Sequence, residues 1–174
     1  MSASFGSNDI THLEFICDTM VASVSRSHDI SDSTITTATT MINFWNTTTL
    51  KYMFSLDTSH DYSINALKFI PSMMMLVSGH SDGKLKFWNL NKSGKNSMVW
   101  EKSANNGKNN IVYWSFELID RDILVAASEN NIEFWNLSSN RGQRPELVDH
   151  FKTNVPITAL SMNAFSNDYF NFKI

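Results

Sequence analysis

Two short clusters in this chain hold the residue types of a hydrolytic centre: His80, Ser81 and Asp82 in "HSD", and Ser25, Ser27, His28 and Asp29 in "SRSHD". A serine activated by a histidine that a carboxylate orients can attack an acyl carbon. The strand-to-helix elbow that commonly presents such a serine reads Gly-x-Ser-x-Gly; "GHSDG" (79–83) matches those letters, but "KLKFWNL" after it alternates as a strand and supplies no helix. "HSDG" (80–83) reads instead as a tight turn. Metal ligation has no better basis, because the histidines at 12, 28, 60, 80 and 150 never fall at ligand spacing and Cys17 is the one cysteine. "GKNNIVYW" lacks the glycines of a phosphate-binding loop. The expectation is therefore no catalytic residue, no metal and no cofactor.

What the chain does repeat is an aromatic pair. Phe44-Trp45-Asn46, Phe87-Trp88-Asn89 and Phe134-Trp135-Asn136 are three copies of one triplet, with the tryptophans 43 and then 47 residues apart. A near-constant period of this size means one supersecondary unit copied along the chain. The middle unit reads "KYMFSL" (51–56), "SINALKFI" (63–70), "MMMLVSG" (73–79) and "KLKFWNL" (84–90), four short strands separated by turn residues. Such a unit is an antiparallel meander and not a βαβ repeat. The third unit follows with "MVWEK" (98–102), "IVYWSFEL" (111–118), "DILVAAS" (122–128) and "NIEFWNL" (131–137). The first has "THLEFI", "MVASVS" and "MINFWN", its opening strand missing or hidden in residues 1–10, and a fourth begins at "LVDHFKT" (147–153) and "PITALSMNAF" (156–165).

Ahead of each Phe, an apolar residue stands two positions back (Ile42, Leu85, Ile132) and a polar one between (Asn43, Lys86, Glu133). This is strand alternation with one buried face and one face that needs only to be polar. The Trp falls on the polar face, where a covered indole N–H needs its own acceptor.

With "LVSGHSDGKLKFWN" (76–89) the chain resembles the WD-repeat family of β-propellers, with Asn89 where the usual Asp stands. The resemblance implies an all-β fold of four-stranded antiparallel blades. It also implies a hydrogen-bond network, which the middle unit fills with His60, Ser78, Asp82 and Trp88. The other units depart from it: Glu129 stands six before Trp135 and Thr39 six before Trp45, and no His lies between 81 and 149. The blades are expected at about 11–46, 51–90 and 98–137, with a partial fourth at 147–174. Residues 30–40, seven Ser or Thr among eleven, read as an exposed inserted loop open to phosphorylation. Three and a half units fall short of the four to eight blades of a ring. A piece of a longer propeller, or a divergent partial copy, is favoured over a ring completed by another chain or by a second copy of this one.

Composition bounds the role. Of the 174 residues 42% are apolar and 18% charged, so the chain is globular, and a net charge of −3 gives no bias toward nucleic acid. The N-terminal "MSASFGSNDI" has no basic or apolar signal region, and no apolar run reaches membrane-spanning length; with one cysteine, an intracellular place, cytoplasmic or nuclear, is expected. Local charge is uneven, since Lys84, Lys86, Lys92, Lys95, Lys102 and Lys108 face Glu101 alone within 84–108. The leading expectation is a non-catalytic scaffold binding other proteins in a larger complex. Its partner loops, by resemblance the fourth-to-first and second-to-third connections of each unit at 90–97, 137–146 and 117–122, carry Lys92, Lys95, Arg121, Arg141 and Arg144. The alternatives are a nucleic-acid-associated subunit using the lysine stretch with Trp100 and Tyr113, or a truncated propeller fragment without function.

Overall fold

The computed structural model describes residues 9–31, 34–58, 62–92, 98–102, 112–138, 144–157 and 159–161. They form twelve strands and one turn of 3₁₀-helix, Pro71–Met73. The strands are β1 (Asp9–Cys17), β2 (Met20–Ser31), β3 (Thr34–Asn46) and β4 (Lys51–Asp57), then β5 (Ile64–Ile70), β6 (Met75–His80), β7 (Leu85–Asn89) and β8 (Met98–Lys102). They continue with β9 (Tyr113–Asp120), β10 (Ile123–Ser128), β11 (Asn131–Asn136) and β12 (Glu146–Lys152). Each group of four makes an antiparallel meander, giving three four-stranded sheets, and among the described residues the three do not close a ring.

The sheets are offset by one strand from the units drawn on the sequence. Lys51–Asp57 pairs with β3, Met98–Lys102 with β7 and Glu146–Lys152 with β11, so the strand that opens a sequence unit completes the preceding sheet. Residues 9–57, 64–102 and 113–152 therefore correct the expected boundaries 11–46, 51–90 and 98–137. The short link from Asn46 to Lys51 keeps β4 beside β3, and it carries Leu50 at a left-handed φ of 56°. The Ser/Thr-rich stretch is also corrected. Its described residues continue the β2–β3 ladder as far as Ser31 and Thr34, as β-branched Thr and Ile favour.

The sheets stack face against face, with apolar cores between them. Ile16, Ala22, Val24, Ile42, Phe44 and Leu56 of the first sheet meet Leu67, Phe69, Leu76 and Trp88 of the second. Val77, Leu85 and Phe87 of the second meet Tyr113, Phe116, Leu124, Ala126 and Trp135 of the third. Gly79 lies at this second seam because a Cβ there would sit 2.7 Å from Tyr113 Cβ and 2.7 Å from Phe116 Cζ. The inner strands β1, β5 and β9 adjoin and are cross-linked by polar groups. Phe69 N–H donates to the Glu14 carboxylate at 2.8 Å, and Lys68 pairs with Glu117 at 2.9 Å. Beyond the third sheet, Ile157 and Leu160 cover Val125, Ala127 and Ile132. The opposite face of the first sheet, with Leu13, Phe15 and Ile10, is exposed.

Candidate partner-binding surface

A bulge between the Phe and Trp of each triplet, in its pairing with the fourth strand, accompanies the turn of the two aromatics to opposite faces. Phe87 then packs toward the third sheet and Trp88 toward the first. The face expected to be merely polar is thus an inter-sheet seam in the second and third sheets. In the second, the Trp88 indole N–H donates to Ser78 Oγ at 2.9 Å, and Ser78 Oγ is hydrogen-bonded to His80 Nε2 at 3.0 Å. Asp82 turns away from this group: its carboxylate accepts the Lys84 backbone N–H at 3.2 Å and faces the Lys84 ammonium at 3.4 Å. His60 lies outside the described residues. The Ser78–His80 pair has the atoms of a nucleophile and its base, yet both residues are 0% exposed and Ser78 already accepts the indole. A substrate carbonyl has no path to it, so the pair holds structure.

In the third sheet a buried carboxylate does the same job. Glu133 accepts hydrogen bonds from Trp135 Nε1 (3.1 Å), Tyr113 Oη (2.8 Å) and Lys102 Nζ (3.0 Å), while the Lys102 ammonium lies 4.7 Å from the Trp135 ring centre. Burial, and then the Glu133 charge, push the Tyr113 hydroxyl far above its ordinary range. In the first sheet Trp45 Nε1 donates to Ser23 Oγ at 2.8 Å, and Asn43 Nδ2 to Ser25 Oγ at 2.7 Å. The residue between apolar position and Phe is therefore not chemically indifferent. Asn43, Lys86 and Glu133 each hold a specific partner, Lys86 donating to the Thr58 carbonyl at 2.9 Å. The missed signal was that two of the three are charged beside a tryptophan.

These bonds also dissolve the basic edge read from residues 84–108. Lys86 is buried, with its ammonium pulled down in pKa chiefly by that burial, and it lies 3.6 Å from Glu101. Lys84 is paired with Asp82 and Glu101, and Lys102 with Glu133. Lys92 is exposed, while Lys95 and Lys108 lie outside the described residues. Trp100 packs between Phe87 and Trp135, and Tyr113 is fully buried, so neither aromatic stands ready for a base; the exposed neighbour is Trp114.

The loops expected to bind partners gather at one end of the sheets. Leu90 N–H donates to the Met74 carbonyl (3.0 Å), Ser72 Oγ to the Arg121 carbonyl (2.8 Å), and Leu137 N–H to the Asp122 carbonyl (2.8 Å). Lys92, Arg121 and Arg144 are exposed at this end, and Arg141 lies outside the described residues. Between the turns of the second and third sheets is an open hollow of about 510 Å³ lined by Pro71, Ser72, Leu118 and Arg121. The strand offset changes what these loops are. On the sheets they are first-to-second and third-to-fourth connections, and the fourth-to-first and second-to-third connections lie at the opposite end, where Ser81 N–H bonds the Ser63 carbonyl and Thr153 N–H the Asn130 carbonyl.

Among the described residues no group of three or more His, Cys, Asp or Glu is placed to hold a metal ion, and no helix is long and apolar enough to cross a membrane. No family model and no curated protein matches the sequence. The fold does have solved counterparts. One is a WD40 propeller chain in the crystal structure of a mitotic checkpoint complex, with a TM-score of 0.62 and 16% identity. These sheets are propeller-like blades. The match covers 86% of this chain and 41% of that one, so this chain spans less than half of its length. In all, 496 solved chains match, which fits an architecture that hosts many functions and assigns none.

Proposed function

We propose that this chain is a WD-repeat propeller scaffold without catalytic chemistry, which binds other proteins as a subunit of a larger complex. The observation that supports it best is where the reactive side chains go. Serine, histidine, lysine and glutamate of the repeats are consumed in seams between sheets, leaving loops and sheet faces as the functional surface. The likeness to a chain of a multi-protein complex points the same way.

The Trp88–Ser78–His80 group of the middle unit belongs to this reading as a structural device, while Asp82 of the expected network braces its own turn and His60 lies outside the described residues. The repeat-defining aromatics Phe44, Trp45, Phe87, Trp88, Phe134 and Trp135 belong to it as well. The partner face is assigned to the end that carries Lys92, Arg121 and Arg144, on the strength of these cations and of the hollow beside Arg121; Lys95 and Arg141, expected to belong to it, lie outside the described residues. Lys92, Arg121 and Arg144 are exposed, so Lys92→Glu, Arg121→Glu and Arg144→Glu should leave folding intact. Affinity capture with quantitative mass spectrometry should show the bound proteins lost from the triple variant. Unchanged capture would move the partner face to the opposite end. A nucleic-acid role is disfavoured because Lys84, Lys86 and Lys102 are spent internally; absence of a mobility shift at low salt is expected, and a salt-sensitive shift would reinstate it.

A further inference from the structure

The exposed face of the first sheet repeats, position by position, two faces that are covered. On β1, Leu13 stands opposite Ser23 and Phe15 opposite Val21; on β5, Leu67 stands opposite Ser78 and Phe69 opposite Leu76. Val21 in turn faces Trp45, and Leu76 faces Trp88, each Trp bonded to the serine two residues along. The third sheet repeats the layout with Phe116, Leu118, Leu124 and Trp135. In the second sheet Leu67, Phe69 and Trp88 are 8%, 7% and 2% exposed, whereas in the first Leu13 and Phe15 are 64% and 75% exposed. Among the described residues nothing lies over them.

The covered copies also show what covers such a face. Against the second sheet lies the row Ile42–Phe44 on β3; against the third lies Leu85–Phe87 on β7. The chain has one more row of this kind, Ile132–Phe134 on β11, flanked by Phe151 of β12, which meets Phe134 edge to face at 5.6 Å and is 53% exposed. The molecule thus carries an unfilled receiving face at its first sheet and the matching inserting face at its third.

We propose that the open face of the first sheet docks the Ile132–Phe134–Phe151 face of a second copy of this chain, head to tail, so that two copies close one ring. Six sheets fall within the four to eight of closed propellers, and two spans of less than half a propeller chain approach a full one. The contact is heterologous and closes at two copies, which avoids an open filament. Ile157 and Leu160 lie over the inner end of the inserting face, held by Ile157 N–H to the Glu129 carbonyl (2.7 Å) and Leu160 N–H to Ser115 Oγ (3.1 Å). β1 of the incoming copy takes that place beside β9, so this segment is displaced on docking. The inference requires only the propeller-like stacking of the sheets and stands apart from the partner-binding role.

Light scattering on a sizing column over a range of concentrations tests it. The wild-type chain should reach twice the single-chain mass. Phe15→Asp spoils the receiving face and Phe151→Asp the inserting face; both side chains are exposed in the single chain, so each variant should fold, with circular dichroism and dilute thermal unfolding like wild type, yet stay at single-chain mass. An equimolar mixture of the two retains one intact interface and should recover the two-chain mass. A wild-type chain that stays single at every concentration would overturn the proposal and reserve the face for other residues or another protein. A dimer that survives Phe15→Asp would overturn it equally.

Discussion

Trp45 and Trp88 make the same bond to the same kind of residue under different burial, and this sets up a controlled measurement. Ser78→Ala removes the acceptor of the Trp88 indole N–H, on a residue 2% exposed and beyond the reach of water. An unsatisfied buried donor costs about 1–3 kcal/mol, and the lost bond to His80 places the expected cost in the upper half of that range. For a chain of this size each kcal/mol lowers Tm by about 2–4 °C, so a fall of roughly 4–12 °C is expected. Ser23→Ala breaks the equivalent 2.8 Å bond to Trp45, which is only partly buried on the open face. Water can replace the serine there, so the loss should stay below about 1 kcal/mol. Thermal and urea unfolding by circular dichroism, in dilute solution, reads both. Equal losses would refute the argument, because burial would not be what separates the two sites. At concentrations where two copies pair, the Ser23→Ala cost should rise toward that of Ser78→Ala, since docking would bury Trp45.

Gly79→Ala should lower the urea midpoint by the equivalent of about 1–3 kcal/mol, because the new methyl meets Phe116 and Tyr113 at 2.7 Å in a closed seam; an unchanged midpoint would show the seam to be yielding. Glu133→Gln leaves the Lys102 ammonium without its counter-charge and should cost about 3 kcal/mol, while adding Lys102→Met to Glu133→Gln should recover much of it, since the Gln oxygen still accepts the Trp135 indole N–H; a double-mutant cycle by urea unfolding separates the two outcomes. Glu14 carries a pH dependence. Burial raises its carboxyl above the usual 4.5, against the smaller lowering effects of the Phe69 N–H and Lys68. The folded chain therefore holds this proton more tightly than the unfolded one, and the associated stability is full below 4.5 and lost as pH rises through the folded value. Glu14→Gln lacks that loss, so its stability relative to wild type should grow between about pH 4 and about pH 7; a pH-independent difference, measured by urea unfolding, would contradict this.

The strands were legible because their signal is local. The alternation in "KLKFWNL" and the turn in "HSDG" mark β7 and the preceding turn almost to the residue, and "MVWEK" is β8 in full. The grouping of strands was not, because pairing is a long-range property: the period of the Phe-Trp-Asn triplet is the same wherever the unit is taken to begin. Only strand pairings such as those that set Phe44 opposite Phe54 and Phe87 opposite Trp100 fix the boundary after the fourth strand. The Ser/Thr-rich run was read as a loop from composition, although its Thr and Ile residues have strand propensity and a paired partner in β2. Charge was misleading for a related reason. A lysine count along the chain cannot register that Glu101 of the neighbouring strand and Glu133 of the next sheet take up three of those ammonium groups.

The seam residues show why a four-residue network pattern describes one sheet and misses its neighbours. What folding demands is an acceptor for the indole N–H at the triplet tryptophan, because an unpaired donor between sheets is costly. Ser23, Ser78 and the Glu133 carboxylate each meet that demand, at 2.8, 2.9 and 3.1 Å. A carboxylate brings a charge that must itself be neutralised, and Lys102 arrives from β8 while Tyr113 donates from β9. The third solution therefore links two sheets through one ion pair, where the serine of the second links strands within a sheet. The joint between the second and third sheets owes its specificity to Glu133 and Lys102 as well as to apolar packing, whereas a partner sheet approaching the first sheet meets the apolar Leu13 and Phe15 beside the uncharged Trp45–Ser23 bond. That asymmetry leaves the open face uncharged in its middle row, Leu13, Ser23, Asn43 and Ser55, so a docking sheet has no buried ion to compensate there.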